Sequence, residues 1–323
     1  MVIRQAVDSD HDRVLAFILQ DQIRWIDAQI YERYAVSGSY RANQIWLAED
    51  DGGRIVASAV WWRATDGQHP GILDCLYVDS SVEDRVTLGA ALLEAGHAAI
   101  LSNGAQNLPE YHLFLKPGWR GDSATRAEVE WRRAAAHSAG LTNELERLRY
   151  EWTAEIGVDQ PSGRLIFSPE PDDDVFVDVF QRVAARSLDQ ETLRGITRFG
   201  AEGQARETMA CYRRMRGSRN WWRLAFTQEG AFVGFTIPSA NEDGPVIGYL
   251  GVVPELRGHG YAGDLLAEAT RILAAQGAER IRGDTDLTNL SMAATFERVG
   301  YRRFGVRLVF SGPDAIQWRT APG

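Results

Sequence analysis

Apolar positions change period once within the stretch that organises the second half of the chain. Residues 246–253, Val-Ile-Gly-Tyr-Leu-Gly-Val-Val, form a mostly apolar run of strand length. Pro254 ends the run, because proline has no N–H to give to a ladder. From Ala262 onward apolar residues recur at helical spacing, through Leu265, Leu266, Ala269, Ile272 and Leu273. Gly258, Gly260 and Gly263 crowd the junction. This order predicts a strand, a glycine-rich turn and the start of a helix. Unpaired backbone N–H groups converge at such a junction, and the helix dipole favours negative charge there. Glycines let the backbone close on a phosphate without a Cβ in the way.

The same pattern occurs once before, at an offset of 174 residues. Without a gap, residues 72–78 fall on 246–252, and Gly89, Leu92 and Glu94 fall on Gly263, Leu266 and Glu268. Upstream, 46–59 and 223–236 each read as strand, glycine turn and strand, a hairpin signal. Residues 2–6 and 164–167 read as opening strands. Asp8-Ser9-Asp10 and Asp172-Asp173-Asp174 follow them and can cap helices. A repeat this long predicts two similar domains rather than a solenoid. Between the copies, 106–115 reads as a strand and its approach, 122–148 as a charged, Ala-rich helical stretch closing the first domain, and 150–156 as its closing strand. Residues 157–163 are rich in turn formers and read as a linker. The predicted division is therefore 1–156, linker 157–163 and 164–323.

The copies part company at the turn. Glu83, Asp84, Val86 and Leu88 stand where the second half has Arg257, Gly258, Gly260 and Ala262. Two acids would face a phosphate, and two bulky side chains would hold the backbone away from it. The first half is expected to be degenerate: a structural partner domain, with completion of the substrate cleft or a homodimer interface as the alternatives.

Composition narrows the partners. The net charge of −9 argues against a nucleic acid held by bulk electrostatics. Cys75 and Cys211 lie in apolar surroundings and read as core thiols, without disulfide or metal spacing. The N-terminal residues carry charges where a secretory segment needs an apolar run, and no run reaches transmembrane length. A cytoplasmic chain with no metal, no nucleic acid and no membrane partner is expected.

Two motifs compete for the turn. Gly258-x-Gly260-x-x-Gly263 matches the dinucleotide fingerprint, with Asp284 about twenty residues on. Pro254 to Arg257 intervene between the strand and the first glycine, however, and the residues that follow are too few for further βαβ units. The better match is Arg257-x-x-Gly260-x-Ala262, preceded by Val252-Val253-Pro254-Glu255. It resembles the acetyl-CoA-binding motif Q/R-x-x-G-x-G/A of the GNAT N-acetyltransferases. Residues 281–286 resemble the family's fifth strand. Residues 289–301, Asn-Leu-Ser-Met-Ala-Ala-Thr-Phe-Glu-Arg-Val-Gly-Tyr, resemble its N-x-x-A-x-x-x-Y-x-x-x-G-F segment. The resemblance covers residues 162–312. It implies an α/β fold with a mixed sheet, built as two GNAT-like acyl-CoA N-acyltransferase domains in tandem.

The resemblance also implies a reaction: acetyl transfer from acetyl-CoA, as co-substrate, to a primary amine of a small molecule, by direct attack in a ternary complex. Arg257, Gly258, His259, Gly260, Tyr261 and Ala262 would cradle the pyrophosphate, mainly through backbone N–H groups. Val252 and Val253 would pair with the pantetheine arm, and a β-bulge there would offer the N–H of Gly251 or Val252 to the thioester carbonyl. Asn289 would contact the CoA arm. His259 reads as a turn residue near phosphate rather than a proton carrier. Phe296 stands where many relatives carry the tyrosine that protonates the leaving thiolate, and it has no proton to give. Tyr249 and Tyr301 are the available hydroxyls, Tyr301 at a position that reads as core, so Tyr249 is the candidate acid; a thiol pKa near 8.5 also allows unassisted departure. Asp286, sharing a strand face with Asp284, is the candidate to hold the substrate ammonium or accept its proton, with a strand-end cap as the alternative. The rival readings are acetylation of a peptide or protein amine and a non-catalytic acyl-CoA-binding regulatory module.

Overall fold

In the computed structural model residues 1–65, 67–158 and 160–313 are described. Asp159 of the predicted linker and residues 314–323 of the predicted second domain lie outside them. The chain divides into two compact units. One runs from Met1 to Glu146 and takes in the C-terminal residues from Val306; the other comprises Arg147–Gly305. This differs from a division at 157–163, and the difference is reciprocal.

The first unit contains β1 (Val2–Gln5), α1 (His11–Ile18), α2 (Ala28–Ser37), β2 (Ile45–Glu49), β3 (Ile55–Trp62), β4 (Ile72–Val78), α3 (Arg85–Ser102), β5 (Glu110–Leu115) and α4 (Ser123–Ser138). Its sheet runs β1-β2-β3-β4-β5, antiparallel except for the β4–β5 pair. The second unit contains β7 (Leu165–Ser168), α5 (Asp173–Ala184), α6 (Gln190–Arg214), β8 (Arg223–Thr227), β9 (Phe232–Asn241), β10 (Gly244–Val252), α7 (Tyr261–Ala275), β11 (Arg280–Asp286) and α8 (Leu290–Arg298). Its sheet repeats the order, β7-β8-β9-β10-β11, with β10 and β11 parallel. The internal repeat read from the sequence is thus a repeat of topology, and it extends to a defect. β4 slips register at Asp74 against β3, and β10 slips at Gly248 against β9, positions separated by the same offset as the sequence copies.

Two strands complete the sheets, each supplied by the other half of the sequence. In β12 (Arg302–Ser311), Val306 to Phe310 pair antiparallel with β5 of the first unit. In β6 (Asn143–Thr153), Arg147 to Thr153 pair antiparallel with β11 of the second. Leu308, Val309 and Phe310 are buried, and each stabilises the first unit by roughly 1.5–3 kcal/mol through the apolar area it removes from water. The predicted helical stretch 122–148 is therefore corrected. The helix ends at Ser138, the chain turns at Gly140, and Leu145 and Leu148 belong to a strand. The charges that read as a helix face are cross-strand partners: Arg149 lies opposite Asp284 and Arg147 opposite Asp286.

No helix among the described residues is long and apolar enough to cross a membrane. The exchange of strands predicts that residues 1–156 and 164–323, expressed separately, each lack a sheet strand and fail to give a cooperative melt. Mixed during refolding they recover one, as followed by circular dichroism. A pH dependence is expected in the first unit. His97 is buried on α3, and burial pushes its pKa down to about 4 from 6.5. Its folded pKa lies below its unfolded one, so stability falls as pH drops between those values, by about 3 kcal/mol in all. His97→Gln should flatten that acid limb in denaturant titrations.

Candidate functional site

The two halves of β10 have different neighbours. Against β9 the antiparallel pairing continues to Val252, whereas against β11 the parallel pairing is confined to Val246 and Arg282. Beyond Val246 the strands part. Every residue from Gly244 to Leu250 is consequently half-buried, although β10 lies in the middle of its sheet. Val253 donates its N–H to Val233 across β9 at 2.9 Å. By the alternation of an antiparallel ladder, Gly251 also faces β9, and Leu250 and Val252 turn their N–H groups to the open edge. Of the two predicted donors, Val252 is thus the one whose N–H faces the open edge. The bulge predicted at Gly251 and Val252 lies upstream instead, at Gly248. There the Tyr212 hydroxyl donates to the Gly248 carbonyl at 2.7 Å, and a Cβ would sit 2.7 Å from Ser239 Oγ.

At the end of β10 the chain passes through one short turn of helix (Pro254–Leu256) into the glycine loop. Gly258 and Gly260 have φ of +83° and +79°, a region that a side chain strains. Gly260 is the N-cap of α7 and offers it no side-chain oxygen. Among the described residues no acceptor faces the backbone N–H groups of Gly258, His259, Gly260, Tyr261 or Ala262. Six other helices are closed: Asp27, Asp84, Asp122, Asp172, Asp189 and Asn289 cap α2, α3, α4, α5, α6 and α8 through their side chains, and α1, like α7, has no side-chain cap. The loop is held from outside. Arg164 donates to the His259 carbonyl at 3.0 Å, pairs with Asp264 on α7, and lies 5.1 Å from the Tyr261 ring centre. The His259 ring stacks on Tyr261 at 5.8 Å, with Nδ1 3.1 Å from the Arg257 carbonyl, so it is a turn residue as expected. Arg257, expected in the cradle, instead spends its guanidinium on the backbone carbonyls of Val252, Val183 and Arg186, which leaves the cradle to the backbone N–H groups that follow it.

The same two places in the first unit are filled. β4 is buried along its whole length, from Ile72 to Val78. It pairs with β5 only at Ile72 and Leu73. Arg132 of α4, fully buried, donates Nε to the Leu76 carbonyl at 3.0 Å and pairs with Asp21 at 2.7 Å and Glu128 at 2.6 Å. The N-terminus of α3 is occupied by the Asp84 carboxylate, which accepts from Thr87 N at 2.9 Å and Thr87 Oγ1 at 2.6 Å.

The remaining predicted residues fall on two faces. Tyr249 points into the α5–α6 layer, its ring 4.8 Å from Phe235, 5.6 Å from Phe180 and stacked on Tyr212 at 5.7 Å. Asp286 faces the same layer and accepts from the Gln190 N–H at the start of α6, at 2.8 Å. Phe296 is on the other face, buried and stacked on Tyr150 at 4.9 Å, with a Cβ at Gly283 excluded by its ring at 2.8 Å. Tyr301 is core: its hydroxyl meets Thr270 Oγ1 at 2.7 Å, and burial pushes its pKa up. Burial and Glu297 push Tyr150 up to about 12. Asn289 spends Oδ1 on the α8 cap, accepting from Met292 N at 3.2 Å. Among the described residues no group of three His, Cys, Asp or Glu is placed to hold a metal.

Sequence reasoning missed what surrounds Asp286. Asp286, Glu191 and Asp189 converge on Arg147, at 3.4, 3.5 and 3.7 Å, and Arg149 lies 3.7 Å from Asp284. Burial works against the charge on Arg147, but Asp286, Asp189 and Glu191 raise its pKa above the ordinary value. The arginines come from β6, far upstream. The one available signal was that residues 143–153, with Arg147 and Arg149 among them, alternate charge and bulk.

Residues 190–301 match the acetyltransferase (GNAT) family, so the second half of the chain carries a domain of that family. The fold is similar to that of a GCN5-related N-acetyltransferase from Sphaerobacter thermophilus, with 16% identity, a TM-score of 0.58 and 98% of each chain covered. It is similar also to the GCN5-related glucosamine N-acetyltransferase region of a fungal multi-domain GH3 β-N-acetylglucosaminidase, with 14% identity and a TM-score of 0.54, over 95% of this chain and 38% of that one. No curated protein matches the sequence. The fold is accordingly that of GNAT proteins over nearly the whole length.

Removing Arg147 should leave converging carboxylates without their cation. Arg147→Met is expected to cost about 3–5 kcal/mol at neutral pH. Mutual repulsion raises the pKa of the orphaned acids, so the folded variant takes up protons more readily than the unfolded chain, and the deficit narrows as pH falls. Urea titrations at two pH values check both the size and the sign.

Proposed function

We propose that the second unit is an N-acetyltransferase that moves an acetyl group from acetyl-CoA to a primary amine of a small molecule, by direct attack in a ternary complex. The observation that carries this reading is the pairing of two unfilled places: an uncapped helix N-terminus at Gly260 and, beside it, the open edge of β10. The first suits a diphosphate, through N–H groups and the helix dipole. The second suits an extended arm that pairs like an added strand. The residues fit the co-substrate: the cradle needs small residues at Gly258 and Gly260, and both stand at positive φ.

In the reaction the amine nitrogen attacks the thioester carbon, the carbon–sulfur bond breaks, the nitrogen gives up one proton and the departing thiolate takes one up. The N–H of Val252, on the open edge, is our candidate donor to the carbonyl oxygen as charge develops there. Asp286 is tied to Gln190 and Arg147, which favours a role in holding and orienting the acceptor side. Tyr249 remains our candidate hydroxyl for the thiolate, on the strand that carries Val252. The first unit, with its filled opening and capped helix, is read as a partner domain that takes no CoA. The buried position of Phe296, which has no hydroxyl, favours one second reading, a non-catalytic acyl-CoA-binding module.

Calorimetric titration with acetyl-CoA should give one site per chain. Gly260→Asp should abolish it, because a carboxylate there would cap α7 as Asp84 caps α3 and the backbone would be strained at φ +79°. Two sites per chain, or unchanged affinity in the variant, would refute the assignment. Thiol release with a panel of primary amines separates an enzyme from a pure binder, which shows affinity without turnover.

A further inference from the structure

Arg257 makes contacts that a phosphate ligand would not need. Its Nη2 donates to the carbonyls of Val183 at 2.8 Å and Ala185 at 3.4 Å, Nη1 to that of Arg186 at 2.7 Å, and Nε to that of Val252 at 3.1 Å. Three of these carbonyls lie at the end of α5, whose last helical residue is Ala184. The last carbonyls of a helix lack partners within it and carry partial negative charge, so a forked cation is suited to them. Arg186 itself has φ of +61°, and among the described residues it is the one non-glycine with positive φ. Such a conformation persists only where its surroundings hold it.

The segment that Arg257 grips leads directly to α6. At its near end Val183 packs on the last turn of β10, so closely that a Cβ on Gly251 would lie 2.2 Å from its methyl. At its far end the N–H of Gln190 is held by the Asp286 carboxylate at the end of β11. Residues 183–190 thus form a strap from the end of one parted strand to the end of the other, and the α6 helix that follows delivers Tyr212 to the bulge carbonyl of Gly248.

We propose that Arg257 is a positioning residue that couples the glycine loop to this strap, so that holding the loop also orders the acceptor side of the cleft. The proposal rests on the acetyltransferase reading above. Binding at the loop fixes the backbone from Gly258 to Ala262; Arg257, one residue upstream, passes that constraint to the carbonyls of 183–186. Acetyl-CoA would then organise the acceptor side before the amine arrives.

The test is hydrogen exchange of residues 186–192 with and without acetyl-CoA, in the wild-type chain and in Arg257→Met, which keeps the stem and loses the donors. In the wild type acetyl-CoA should slow exchange in the strap. In the variant strap exchange should be roughly tenfold faster, and acetyl-CoA should no longer slow it, while calorimetric affinity stays within about threefold. A purely structural role would loosen the strap but leave its response to acetyl-CoA in place, which overturns the coupling. A loss of affinity of about tenfold or more would make Arg257 a phosphate ligand and overturn it also. If Arg257→Met does not fold, Arg257→Lys decides: one ammonium cannot replace the fork, so the same loss of response is expected. Failure of the wild type to bind acetyl-CoA would sink the acetyltransferase reading instead. The ligand-free comparison would still show whether Arg257 holds the strap.

Discussion

A parallel pair of strands that meets at only one or two register positions leaves backbone groups facing each other across a gap. Buried N–H and C=O groups must find partners, so such a gap cannot be closed by apolar side chains alone. The two units answer this constraint differently. In the first, Arg132 from α4 enters the gap, satisfies the Leu76 carbonyl and is itself neutralised by Asp21 and Glu128. In the second, β10 stays half-buried along the gap, and its Leu250 and Val252 amides keep an edge that another extended chain can pair with. At this gap the two units therefore differ by a single buried cation.

The same contrast governs the helix that follows. A helix N-terminus is an anion site whether or not an anion from outside comes to it. Asp84 supplies α3 with its own carboxylate, whereas Gly260 leaves α7 to whatever the solvent brings. The helix dipole is common to the two N-termini, and what separates them is whether the chain carries its own ligand. The external braces, Arg164 on the His259 carbonyl and Arg257 on the α5 carbonyls, hold the α7 loop without touching its outward N–H groups.

Exchange of strands gives each unit a dependence on distant sequence. The charged clusters make this plain. Asp284 and Asp286 could be placed on one face of a strand from their spacing, but the arginines opposite them come from β6. Read alone, residues 143–153 alternate charge and bulk in a way that also suits a helix surface; opposite β11 the same alternation becomes a row of cross-strand ion pairs. The pairing that converts one reading into the other has no local signature.

By itself, the sequence determined the repeat, the strand–loop–helix junction at Pro254 to Ala262 and the replacement of its small residues in the first half. These follow from local rules: the period of apolar residues, the missing N–H of proline, the φ freedom of glycine and the sign of a capping side chain. Tertiary structure decided which amide of β10 faces the opening, where the bulge falls, that Tyr249 and Asp286 face the α5–α6 layer while Phe296 faces the other, and that Arg257 serves carbonyls. Each of these depends on which strand or helix end comes alongside, through hydrogen-bond alternation, cross-strand register and contacts between residues far apart in the chain. Such partners are chosen by the packing of the whole unit, and no window of sequence contains both members.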